Sequence, residues 1–313
     1  MPFKRMPQTF TASIGTVTIG TGEKAVTMGG ENVLPLYSFD APIVNRPLIG
    51  VEVSDLGVDN TLPELAAFYA GADTVVEQAK RAATMPGADF LAIRLESADP
   101  NGANTPVEES VALCKAIADA VDCPLVIEGS KNAEKDSTLL AKVAEALQGK
   151  NVLLMSAKEE NYKSICAAAV LAYGQKMGAE SAVDINLAKQ LNVLIDKMGV
   201  KGENVAMNVG SAAAGYGFEY VASTMDRVKA AALGQNDNML QMPIITPVSS
   251  EAWSVKEAIV SEEDEPEWGP TEARGVEMEI ATAAACLAGG SNAVILKHPK
   301  SVATIAAFIS AII

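Results

Sequence analysis

The chain of 313 residues is long enough for two ordinary domains or for one closed α/β barrel of about 250 residues. Hydrophobic residues make up 49% and charged residues 20%, which excludes global disorder; with aromatics at 5%, the core must be filled by Ala, Val, Ile, Leu and Met. The 24 Lys and Arg against 39 Asp and Glu leave a net charge of −15, so neither nucleic acid nor an anionic membrane surface is expected as a partner.

Residues 1–10 carry Lys4 and Arg5 with no apolar stretch behind them, which does not fit a signal peptide. Further on, no apolar run approaches the ~20 residues that a bilayer requires, and a cytoplasmic protein is expected. Residues 10–19 alternate β-branched and small side chains, Gly20-Thr21-Gly22-Glu23-Lys24 turns, and residues 25–28 run back, which predicts a β-hairpin. Gly29-Gly30 and prolines 35, 42 and 47 then make an irregular connector, so residues 1–47 form one unit and 48–313 another.

From residue 48 a short apolar run, a polar loop and a helically spaced segment recur. The runs are 48–53, 90–95, 125–127, 152–155, 182–185, 205–209, 244–248 and 293–296. Continuous rather than alternating hydrophobicity marks strands covered on both faces, as in a parallel sheet flanked by helices. Thr105-Pro106-Val107-Glu108 offers a cap, a proline at the first helical position and a Glu two residues on, before the stripe Val111, Cys114, Ile117, Ala118, Val121. Residues 186–198 place Leu187, Leu191, Leu194 and Ile195 on one face, and Val302, Ile305, Ala306, Ile309 and Ile312 form the last helix. Eight strand-then-helix units predict a (β/α)8 TIM barrel preceded by a hairpin. A doubly wound open sheet is the alternative, but Ser54-Asp55-Leu56-Gly57-Val58 lacks its glycine fingerprint.

In a barrel the functional face is the rim at the C-terminal strand ends. The residues just past each predicted strand are polar but short of reactive groups, which predicts an inert mouth. The single histidine excludes a histidine-rich metal site; no Ser/His/Asp elbow appears, since His298 sits in Lys297-His298-Pro299 at the end of the eighth predicted strand, where such a residue most often serves a loop hydrogen bond. Asp55, Glu96, Glu128 and Asp184 have the chemistry for magnesium but are equally explained as caps and solvated loops. Lys297 is the one lysine placed for a Schiff base, and equally an ordinary strand end. Cys114, Cys123, Cys166 and Cys286 are scattered, so no disulfide framework, zinc site or iron–sulfur site is read from them. The segment Asn208-Val209-Gly210-Ser211-Ala212-Ala213-Ala214-Gly215-Tyr216-Gly217 reads either as a platform for a large flat ligand or as a flexible loop. Residues 261–270, an acidic run beside Trp268, read as a solvated loop or a docking surface.

Beyond these patterns, several stretches in order resemble one family: Gly29-Gly30-Glu31-Asn32-Val33-Leu34-Pro35, Asn132-Ala133-Glu134-Lys135-Asp136, Asp184-Ile185-Asn186-Leu187-Ala188-Lys189, Gly215-Tyr216-Gly217-Phe218-Glu219-Tyr220 and Met239-Leu240-Gln241-Met242-Pro243. The family is the small (delta) subunit of the corrinoid iron–sulfur protein of the acetyl-CoA (Wood–Ljungdahl) pathway of carbon fixation, and the resemblance runs essentially full length. It implies a TIM barrel within a heterodimer whose large (gamma) subunit holds a [4Fe–4S] cluster and the cobalamin, with this barrel capping the corrinoid from the other side. It also implies methyl transfer: a methyl group taken from methyltetrahydrofolate through a methyltransferase, carried on cobalt and delivered to acetyl-CoA synthase. The rim argument then assigns corrinoid contacts to Asn208, Ser211, Tyr216, Thr246, Ser249 and His298, with no catalytic residue of the chain's own. Two other functions fit the same barrel: an independent pterin-dependent methyltransferase using Asp55, Asp184 and Asn208, and a purely architectural subunit.

Overall fold

The computed structural model describes Lys4 and residues 6–313; Met1, Pro2, Phe3 and Arg5, part of the segment read for a leader, lie outside the described residues. Two short strands, β1 (Thr16–Ile19) and β2 (Val26–Gly29), pair antiparallel as the expected hairpin. Eight parallel strands follow: β3 (Leu48–Ser54), β4 (Phe90–Arg94), β5 (Leu125–Glu128), β6 (Leu153–Ala157), β7 (Lys176–Glu180), β8 (Val205–Asn208), β9 (Ile245–Pro247) and β10 (Ala293–Leu296). They pair in the order β8-β7-β6-β5-β4-β3-β10-β9. A bridge between Met207 and Ile244, with the Met207 amide donating to Pro243 at 2.7 Å, brings the two ends together and closes the barrel.

Helices α1 (Pro63–Phe68) and α2 (Val75–Ala82) follow β3, α3 (Val107–Ala120) follows β4, and α4 (Ala133–Ala146) follows β5. After β6, α5 (Tyr162–Ile165) continues as a π-helical stretch, Cys166–Ala172. Then come α6 (Ile185–Lys197) and α7 (Phe218–Lys229), the latter also ending in a π-helical stretch. The β9 unit carries α8 (Val248–Ala252), α9 (Lys256–Ile259) and the long α10 (Thr271–Gly289), and α11 (Pro299–Ile312) closes the ring. Local chemistry sets several starts. Thr74 and Glu77 form a reciprocal capping box on α2, and the Asn132 side chain accepts from the Lys135 amide on α4. Among the described residues no helix is long and apolar enough to cross a membrane.

Two expectations need correction. The strand between β6 and β8 is Lys176–Glu180, not residues 182–185. Its sequence hides it: only Met177 and Ala179 face the helices, Gly178 turns inward where Met155 fills the space, and both ends are charged. The apolar Val183 and Ile185 instead flank Asp184, whose carboxylate accepts from the Asn186 and Leu187 amides and starts α6. On α3, Pro106 rather than Thr105 occupies the cap position, and no side chain caps the helix.

The hairpin is part of the barrel. Val17, Ile19 and Met28 join one buried cluster with Leu48, Phe90, Val126, Leu153, Ala206, Ile245 and Ile295, which line the barrel interior. The hairpin thus plugs the N-terminal end of the barrel. The Gly29-Gly30-Glu31 turn fastens it: a Cβ on Gly29 (φ +87°) would lie 2.1 Å from the Gly15 carbonyl oxygen, so only glycine passes there. Next to it, Glu31 Oε1 accepts from Lys229 Nζ at 2.9 Å and from Asn292 Nδ2 at 2.8 Å, and Asn292 Oδ1 takes the Ile244 amide at 3.0 Å. One ion pair thereby ties hairpin, α7 and the foot of β9 together.

Candidate functional site

With the base plugged, the C-terminal mouth is what remains open, and strand parity decides what lines it. Residues two apart share a face. Gly50 therefore carries Glu52 inward, Ala92 carries Arg94, Val126 carries Glu128, Gly178 carries Glu180, Ala206 carries Asn208 and Ile295 carries Lys297. Sequence reading expected few acids here, and the structure corrects that: the mouth is a ring of carboxylates matched by cations. Glu52 Oε2 accepts from Ser249 Oγ at 2.7 Å, and Glu52 Oε1 lies 3.7 Å from Arg94 Nη1. Arg94 also meets Glu96 at 3.1 Å, Lys158 meets Glu180 at 3.1 Å, and Lys131 stands 4.0 Å from Glu251. The signal was present in the sequence as single charges at the ends of apolar runs, in Val51-Glu52-Val53, Ile93-Arg94 and Ile127-Glu128. Glu52 and Arg94 lie within the predicted runs 48–53 and 90–95 and Glu128 just past 125–127, but the apolar pattern alone does not say which face of the strand each charge takes.

Glu128 is the least satisfied of these groups. Its side chain is buried, and Oε1 has no hydrogen-bond partner among the described residues. Burial first, and the neighbouring Glu52 carboxylate second, push its pKa up to about 8 against the pull of Arg94 and Lys131, and so favour the acid form. It lines a central cavity of about 110 Å³ together with Arg94, Lys158, Glu180, Asn208 and Ser211. A larger cleft of about 400 Å³ lies beside it, between Glu52, Ser249, Trp253 and Lys297 on one side and Leu65, Tyr69 and Gln78 of the first two helices on the other.

The six residues assigned from the rim fall in three places. Asn208 and Ser211 line the central cavity, and Ser249 lines the cleft. Tyr216 sits on the rim, 46% exposed, its hydroxyl donating to Glu257. Thr246 faces away from the mouth: its neighbour Ile245 takes the inner face, and the Thr246 hydroxyl lies 2.7 Å from Ser291 in the layer between sheet and helices. His298 is in the wall as the cap of α11, with Nδ1 accepting from the Lys300 amide at 3.1 Å. Its Nε2–H therefore donates to Glu272 Oε1 at 3.2 Å, while its ring stacks on Trp253. Burial holds the His298 pKa below the ordinary histidine value despite Glu272.

Other candidates are locally satisfied. Asp55 accepts from the Ser97 amide and hydroxyl, Asp184 caps α6, and the Lys297 ammonium sits 4.7 Å from the Trp253 ring centre. Among the described residues no group of three or more His, Cys, Asp and Glu is arranged to hold a metal ion. All four cysteines are free, and burial pushes the thiols of Cys114 and Cys286 up to about 12. In the acidic 261–270 loop Glu265 pairs with Lys256 at 3.4 Å, and Lys256 and Arg274 lie 4.8 Å and 5.7 Å from the Trp268 ring centre.

Behind the wall, Glu279 of α10 is fully buried, and its carboxylate takes the Lys297 amide at 2.7 Å and the His298 amide at 3.3 Å. Burial outweighs these bonds and raises its pKa from 4.5 to about 7. Below 4.5 folded and unfolded chains are both protonated at this group. Between 4.5 and 7 only the folded chain keeps the proton, so stability falls across that window, by about 3 kcal/mol from this group, and then levels off. Urea unfolding between pH 5 and 8 is expected to show this decline on top of that from Glu128, and Glu279→Gln is expected to make the slope shallower while leaving the Glu128 share.

Comparison with known proteins places this geometry. The family described as CO dehydrogenase/acetyl-CoA synthase delta subunit matches residues 16–284. The acetyl-CoA decarbonylase/synthase complex subunit delta of Archaeoglobus fulgidus is 34% identical over 292 residues, covering 91% of this chain and 64% of that protein. Delta subunit 2 of Methanosarcina acetivorans is 33% identical over 91% of this chain and 66% of its own length, so the chain spans about two thirds of these relatives. Among solved structures, dihydropteroate synthase from Burkholderia cenocepacia superposes with a TM-score of 0.57 at 13% identity, covering 96% of this chain and 97% of that one. The Xanthomonas albilineans enzyme with 4-aminobenzoic acid gives 0.55 at 13%, covering 95% and 98%. The latter two share the TIM-barrel fold. On the sequence match over most of its length, the chain belongs to the CO dehydrogenase/acetyl-CoA synthase delta subunit family.

Proposed function

We propose that the chain is the small subunit of a heterodimeric methyl carrier, and that its barrel mouth covers one face of a corrinoid held by a larger partner subunit. The observation that carries this reading is the shape of the open end. The central cavity, about 110 Å³, is too small for a macrocycle to enter, so a corrin can only lie across it. On the segments that follow β3, β7, β8 and β9 stand exposed apolar side chains: Leu56, Val183, Tyr216, Tyr220, Ile259 and Trp268. Such exposed side chains suit burial against a second polypeptide. The residues inside fit an amide-fringed group in kind, with Asn208, Ser211, Ser249 and the uncommitted Glu128 as hydrogen-bonding positions. When bound, the corrinoid supplies the cobalt that carries the methyl group, and the iron–sulfur cluster belongs to the partner.

This chain's own residues bind, orient and exclude water. Ser249 and Arg94 hold the Glu52 carboxylate in place, and Glu257 fixes the Tyr216 ring on the rim. Transfer of the methyl group from methyltetrahydrofolate by a separate methyltransferase, and onward to acetyl-CoA synthase, belongs to the same proposal, as does a cytoplasmic location. The pterin-dependent alternative loses support because Asp55 and Asp184 are engaged locally. The test is hydroxocobalamin binding followed by absorbance, with the chain alone and with its co-expressed large partner. Weak binding alone and tight, stoichiometric binding in the complex is expected. Equally tight binding by the chain alone, or micromolar binding of methyltetrahydrofolate without a partner, would overturn the proposal.

A further inference from the structure

We infer that the carboxyl group of Glu128 is the binding element for a primary carboxamide that reaches into the centre of the mouth. It deepens the corrinoid reading, since corrin side chains end in such amides, but it stands on the pocket alone. The neighbours narrow the ligand. Every cation facing Glu128 already has a carboxylate: Arg94 has Glu52, Lys158 has Glu180, and Lys131 has Glu251. Asp136, the remaining acid on the cavity wall, is taken up by the Ser130 amide and hydroxyl. No positive charge is left over for an anionic ligand. Glu128 lines a cavity of about 110 Å³, room for a side-chain-sized group only, and the inner oxygen of its carboxyl, Oε1, has no hydrogen-bond partner among the described residues. In the acid form, which burial favours, a carboxyl presents one donor and one acceptor side by side. The group that returns both at the same spacing, without charge, is a primary amide. An ester returns the acceptor alone.

The test uses propionamide as a free amide, and hydroxocobalamin against a corrinoid whose side-chain amides are methyl esters. Propionamide binding to the full chain is followed by NMR of the labelled Glu128 carboxyl, and binding of the two corrinoids to the complex with the large partner subunit is followed by absorbance. Propionamide is expected to bind the wild type about tenfold more weakly at pH 9 than at pH 6.5, because the carboxylate still accepts from the amide N–H but no longer donates to the amide oxygen, which it then repels. Glu128→Gln, which keeps a donor and an acceptor, is expected to bind within about threefold of the wild type at pH 6.5 with no pH dependence. Because it leaves Glu279 unchanged, the difference between the two proteins isolates Glu128. Glu128→Leu is expected to lose about tenfold. Equal binding by all three proteins, or affinity that rises with pH, overturns the inference. Propionamide behaving as stated while hydroxocobalamin and its ester analogue bind alike supports the amide site and counts against the corrinoid as its source.

Discussion

Lys229→Met is expected to lower the unfolding free energy by about 3–5 kcal/mol, read from urea unfolding followed by circular dichroism. The ammonium is 2% exposed and is held by Glu31 at 2.9 Å and Asn292 at 3.0 Å. Removing it strands the Glu31 carboxylate beneath the hairpin with Asn292 alone as partner. Burial by itself would raise the Glu31 pKa, but Lys229 and Asn292 together hold it below its ordinary 4.5. A depressed carboxyl stabilises the fold above the unfolded value and loses that contribution as pH falls through the folded one. In Lys229→Met only the Asn292 and backbone hydrogen bonds oppose burial, the largest influence, so the Glu31 pKa rises and the variant gains stability relative to the wild type as the medium is acidified. The double variant Glu31→Gln/Lys229→Met is expected to recover more than half of the loss. If the single variant unfolds like the wild type, the ion pair does not fasten the hairpin.

Phe90→Ala is expected to be comparably damaging, about 3–5 kcal/mol, because a large side chain in a fully enclosed layer leaves a void that the closed sheet cannot collapse. Phe90 is 1% exposed, and its ring fills the space that the absent Gly50 side chain leaves: a Cβ on Gly50 would fall 2.2 Å from Phe90 Cε2. Gly50→Ala alone is therefore expected to destabilise through overlap, yet to do little harm in the Phe90→Ala background. A double-mutant cycle measures that coupling directly. Additive losses would mean the two positions do not share one space.

The repeat of apolar runs and helical stripes disclosed the barrel, because a parallel strand covered on both faces must be apolar throughout. The exception shows the limit: Lys176–Glu180 has glycine at its inward position and charges at both ends, so its identity depends on Met155 from the next strand. The site was less legible for a related reason. Which way Thr246 points, and that Glu52 and Arg94 point in, follows from strand register, and a shift of one residue exchanges the two faces. His298 was rightly read as a loop hydrogen-bonder in chemistry, but its assignment to the mouth assumed that a strand end is always a lining position. The hairpin was visible as a motif; that it closes the base emerges only from its packing against Phe90 and its neighbours.

The matched charges of the mouth separate attraction from grip. The chain carries −15 overall, but the basic groups around Glu128 are each neutralised at short range, so what an approaching molecule senses at a distance comes from the outer shell. That far field is screened within about 8 Å at physiological ionic strength, whereas hydrogen bonds inside a closed opening are hardly screened at all. Encounter rate and residence are thereby governed by different sets of side chains, and either can be altered by substitution without disturbing the other.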